Sequence, residues 1–154
     1  MIIYILSGRL SYELFSRLSC LLNSGGPKIH HMRNYAKGYR AERDIVHELA
    51  GRGYMTIRAP HSGSIGLASP DVIAAKDGKL IVLECKSREE AFTVPPEQME
   101  ELRKWQQVAP AHAYVAWKVN RKGWRFLRLD DVAANGGHVG KKFAEEKGIS
   151  IEAI

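Results

Sequence analysis

Residues 71–87 read DVIAAKDGKLIVLECKS, and their alternation decides the architecture. Two apolar runs flank Asp77-Gly78, the dipeptide a two-residue hairpin turn prefers because both central positions need positive φ. The stretch predicts two antiparallel strands. Along the second, Leu80, Val82, Glu84 and Lys86 share one face, while Ile81, Leu83 and Cys85 share the other. A strand apolar enough to be buried therefore ends in an acid and a base on one face, with Cys85 turned away as a small buried hydrophobe.

Outward from this hairpin, YRAERDIVHELAGRG places Ala41, Ile45, Val46 and Leu49 on one helical face and closes at Gly53. YMTIRAP reads as a short strand and HSGSIGLASP as a loop. After Pro95-Pro96, EQMEELRKWQQVA is a helix with Met99, Leu102 and Trp105 inward. HAYVAWKV and WRFLRL are strands flanking the turn at residues 120–123, and DDVAANGG and GKKFAEEKG supply short helices. The order is helix, three strands, helix, two strands, helices: an α/β protein with a mixed sheet of about five strands under helical cover.

Residues 1–31 differ from the rest. Leu10, Leu14, Phe15, Leu18, Leu21 and Leu22 recur at helical spacing until Asn23-Ser24-Gly25-Gly26-Pro27 ends the pattern. Arg9, Glu13 and Arg17 interrupt it, so it is too charged to span a membrane. An N-terminal extension over 1–31, an amphipathic helix plus linker, followed by a self-contained domain over 32–154 is the expected division. Met32 is the expected working start, with a partner-binding, core-capping or targeting role for the extension as the alternatives.

Hydrophobic content of 45% and charged content of 26% exclude a disordered or membrane-embedded chain. Net charge of +6 suits a phosphate-rich partner without requiring one. Lys118, Arg121, Lys122, Arg125 and Arg128 lie among Trp117, Trp124 and Phe126 with no acid between them, a segment suited to tracking a nucleic-acid backbone. Cys20 and Cys85 have no neighbours at zinc-ligand spacing, and no secretory signal pattern is present, so the cytoplasm is the expected location.

Taken alone, Glu84 and Lys86 read first as a solvated ion pair at a strand end. Asp71 adds a second carboxylate, because one tight turn and the 12 residues 72–83 separate it from Glu84 and a hairpin brings the two together. Two adjacent carboxylates repel, and either a shared proton or a hard cation relieves them. Mg²⁺ takes one or two carboxylates, keeps several waters and leaves room for a phosphate oxygen. A neighbouring lysine can then orient an attacking water, a combination suited to metal-assisted phosphodiester hydrolysis.

PD at 70–71 followed by ECK at 84–86 matches the motif of the PD-(D/E)xK nucleases. The longer stretch from KGYRAERDIVHELAGRGYMTIRAPHSGS to PDVIAAKDGKLIVLECKS closely resembles the archaeal-type Holliday junction resolvases, and the likeness continues through PEQMEELRKW and GWRFLRLDDV. The resemblance covers about Lys37 to Val132. It implies a restriction-endonuclease-like fold and a homodimeric endonuclease that uses Mg²⁺, with Mn²⁺ as a substitute. Such an enzyme cuts four-way DNA junctions by paired nicks that leave 5′-phosphate and 3′-hydroxyl ends.

Carried over by position, the resemblance implies metal-site acids at Glu42, Asp71 and Glu84, the backbone carbonyl of Cys85 as a further ligand, and the active lysine at Lys86. Ser62 matches a loop serine that assists cleavage, and Arg43 and Arg58 match basic residues near the scissile phosphate. Ser62, Ser64, Arg43, Arg58, Lys118, Arg121, Lys122 and Arg125 form the expected DNA-binding set. Gln98 matches a glutamine near the active lysine, and Leu102 and Trp105 fall on a helix that resembles the family's dimer interface. Residues 65–69, IGLAS, lack the lysines and arginines many members carry there, which implies fewer phosphate contacts. The competing readings are another nuclease of this superfamily acting on flap, damaged or specific duplex DNA, and a junction-binding protein without useful catalysis.

Overall fold

The computed structural model describes residues 28–59, 68–119 and 122–154, with side chains described from 36 onward. The leucine-rich helix expected in residues 1–27 lies outside the described residues. The chain divides into two compact units, Met1–Arg33 and Asn34–Ile154. Helix α1 spans Lys28–Ala50. The helix stops where Gly53 takes φ 85°, which lets the Tyr54 N–H reach back to the Leu49 carbonyl at 3.1 Å.

Strands β1 (Met55–Arg58), β2 (Val72–Lys76) and β3 (Lys79–Lys86) form an antiparallel meander. Asp77 and Gly78 have φ of 49° and 78°, the paired positive values a tight hairpin needs, and they set Val72 opposite Leu83. The two-residue β4 (Phe92–Thr93) precedes helix α2 (Pro96–Val108). Strand β5 (His112–Val119) runs parallel to β3, and β6 (Gly123–Arg128) returns antiparallel to β5. The main sheet has the order β1-β2-β3-β5-β6.

Helix α3 (Leu129–Ala134), strand β7 (His138–Val139), helix α4 (Lys141–Lys147) and a 3₁₀ turn at Ile151–Ala153 complete the described chain. The β4–β7 pair was not anticipated from sequence, since two residues are too few to show a period. Gly137 is required beside it: a Cβ there would meet the Val94 carbonyl oxygen at 2.7 Å.

The sheet is covered on both faces. Ala41, Ile45 and Leu49 of α1 pack on Ile81, Leu83, Ala116 and Phe126. On the opposite face Leu102 of α2 packs on Val82 and Ala113, and Trp117 meets Phe92 edge-on with ring centroids 5.3 Å apart. Leu102 is 1% exposed, so it belongs to the chain's own core and has no surface to offer a partner, contrary to its expected interface role. Trp105 packs on the same cluster, and its indole N–H donates to the Ala68 carbonyl at 2.9 Å.

Candidate active site

One residue beyond the β2–β3 register, Asp71 falls opposite Glu84, as the hairpin spacing predicts. Asp71 is 8% exposed and Glu84 6%, and they are the buried charged residues among those described. Asp71 is fixed from β3 itself: the Cys85 backbone N–H donates to its Oδ2 at 2.7 Å. Lys86, two residues on, points to the same side as Glu84 and donates to Glu84 Oε1 at 2.7 Å. Its ammonium also donates to Gln98 Oε1 on the first turn of α2 at 2.8 Å. The parallel β3–β5 pairing underlies this, since the crossover through α2 returns that helix over the end of β3.

Burial and the neighbouring Asp71 push the Glu84 carboxyl up to about 7, against the lowering pull of Lys86. The Cys85 thiol lies on the α1 face, among Ile81, Leu83 and Ala41. Burial pushes it well up, and the negative charges of Asp71, Glu84 and Glu42 add to the rise.

Glu42 reaches this end of the sheet from the α1 face. Its Oε2 accepts from Arg58, the last residue of β1, at 3.0 Å, in a pair whose side chains are 21% and 30% exposed. The Arg58 guanidinium also lies over the Tyr39 ring, 4.6 Å from its centroid. Asp71 and Glu84 thus lie opposite each other at the end of the β2–β3 hairpin, while Glu42 is held by Arg58.

Among the described residues, no group of three or more His, Cys, Asp or Glu side chains is placed to hold a metal ion. Asp71 and Glu84 nonetheless fit a hard divalent cation: two buried carboxylates, one with its proton affinity raised, gain most from a positive charge between them.

The expected DNA-binding residues are dispersed. Ser62, Ser64 and Arg121 lie outside the described residues. Arg43 lines an open cleft with Ala36, Tyr39, Arg40 and Asp44. Lys118 pairs with Asp44, and Lys122 with Glu145 at 3.6 Å. Lys118 stands opposite Trp124 and Arg125 opposite Trp117, so Lys118 and Arg125 project from opposite faces of the sheet. The basic run is therefore not one stripe along a single surface. Sequence reasoning missed Tyr39 and the Asp44–Lys118 pair, which join residues distant in the chain. An aromatic one helical turn from Glu42 was the available signal for Tyr39.

A family model described as archaeal Holliday junction resolvase (hjc) matches residues 33–154. The chain is 36% identical over 104 residues to the crossover junction endodeoxyribonuclease Hjc of Sulfolobus acidocaldarius, covering 66% of this chain and 72% of that one. It is 32% identical over 126 residues to the protein of the same name from Sulfurisphaera tokodaii, covering 79% and 87%. The solved structure of Archaeoglobus fulgidus Hjc, a Holliday junction resolvase, superposes with a TM-score of 0.68 at 28% identity, over 74% of this chain and 94% of that one.

Proposed function

The chain belongs to the archaeal Holliday junction resolvase family, and we propose that it is a structure-selective endonuclease that resolves four-way DNA junctions in recombination and repair. The observation that carries this reading is the buried Asp71–Glu84 pair beside the Glu84–Lys86–Gln98 hydrogen-bond chain. Burying two carboxylates costs stability, and a solvated ion pair at a strand end needs no such burial.

Asp71, Glu84 and the Cys85 backbone carbonyl would hold Mg²⁺ or Mn²⁺, with Glu42 as the further acid. When bound, the ion would neutralise charge developing on phosphate oxygens and favour ionisation of an attacking water. The chain's own groups supply orientation. The Cys85 N–H fixes Asp71. Lys86, spanned between Glu84 and Gln98, has a third N–H with which to align the water for attack on phosphorus. The products are a 5′-phosphate and a 3′-hydroxyl. Arg43, Arg58 and the loop serines Ser62 and Ser64 contact the backbone around the scissile phosphate. The protein acts in the cytoplasm as a homodimer, whose two-fold symmetry matches paired nicks on opposing strands.

Incubation with four-way junction, flap and linear duplex of matched sequence tests this. Junctions should be cut preferentially, in Mg²⁺ and not in EDTA. Preferential cutting of duplex or flap would replace this reading with that of another nuclease.

A further inference from the structure

Tyr39 and Glu42 lie three residues apart on α1 and so present a ring and a carboxylate on one side of the helix. Arg58 enters between them from the end of β1, with its guanidinium 4.6 Å from the ring centroid and Nη1 donating to Glu42 at 3.0 Å. A guanidinium over an aromatic face has five N–H donors, and the one that serves the carboxylate leaves others usable. Tyr39 is 40% exposed, one of the few large hydrophobic residues on the described surface, and it borders the cleft that Arg40 and Arg43 line. The ring therefore borders a cleft in which Arg40 and Arg43, set against Asp44, can attract a backbone phosphate.

Resting on the nuclease reading above, we propose that Tyr39 is a positioning residue. Its ring holds the Arg58 guanidinium in place, so that Nη1 keeps Glu42 and the remaining donors are presented to a phosphate of bound DNA. Without the ring, Arg58 keeps its charge and loses its orientation. Phosphate attraction is then largely preserved, and alignment of the reacting groups suffers.

The test compares Tyr39→Phe, Tyr39→Leu, Arg58→Ala and the Tyr39→Leu/Arg58→Ala double variant in three readouts: single-turnover junction nicking, junction affinity in EDTA, and thermal unfolding. Tyr39→Leu should slow nicking about fivefold, the size a partly exposed cation–π contact supports. Affinity in EDTA and the unfolding midpoint should be nearly unchanged. Tyr39→Phe should restore the wild-type rate, and Tyr39→Leu should add nothing in the Arg58→Ala background. An equal loss in both backgrounds, or a loss in EDTA affinity in place of rate, would overturn the assignment in favour of packing or base stacking. Wild-type protein that fails to cut junctions would defeat the nuclease reading itself, whereas active protein indifferent to Tyr39→Leu would defeat only the positioning role.

Discussion

At the end of β3, Asp71 and Glu84 are 8% and 6% exposed and depend on fixed partners. On the neighbouring β5–β6 hairpin, Lys122 and its partner Glu145 are 67% and 69% exposed. The first region holds charge where burial penalises it, and the second holds charge where water already satisfies it. An exposed ion pair contributes about 0–1 kcal/mol and is readily exchanged for a phosphate. A buried carboxylate pair raises its own proton affinity, as Glu84 does beside Asp71 even with Lys86 bound to it. The difference separates charges whose state the fold alters from charges that water screens.

The larger expected effect is on pH-dependent stability of the metal-free protein. Glu84 rises from 4.5 to about 7 on folding, so the folded chain keeps a proton that the unfolded chain has already released. Stability must then fall as pH climbs from the unfolded value through the folded one, by about 3 kcal/mol in total. Urea denaturation in EDTA across that window should show the decline in the wild type and its absence in Glu84→Gln. A wild-type profile as flat as the variant's would erase the contrast between the two regions.

The smaller effect concerns DNA affinity. Lys118→Ala and Arg125→Ala should each lower the slope of log affinity against log salt by about one, because each cation displaces roughly one counterion's worth of phosphate charge. Since the two residues project from opposite sheet faces, reductions from both mean that DNA follows the sheet edge. A change from only one would confine DNA to that face.

Local features were legible in the sequence. Asp77-Gly78 specified the hairpin turn, alternation put Glu84 and Lys86 on one face, and their spacing set Asp71 opposite Glu84. Contacts that need the whole fold were less so. Gln98 joins Lys86 only because the parallel crossover returns α2 over the strand. Tyr39 meets Arg58 only once α1 packs beside β1. The β4–β7 pair joins residues 92–93 to 138–139, and no short pattern announces it. The layout of the basic run needed the pairing too: alternation carried across its turn separates Lys118 from Arg125, while a count of charges does not.

The central claim, that Asp71 serves the chemistry and not the binding, is tested most directly by Asp71→Asn. Junction cutting in Mg²⁺ should fall about 10³-fold or more, the scale on which a charge partner of the reacting phosphate acts. Junction binding in Ca²⁺ or EDTA should remain largely in place. Cutting that continues unchanged would contradict the account by removing Asp71 from the reacting site.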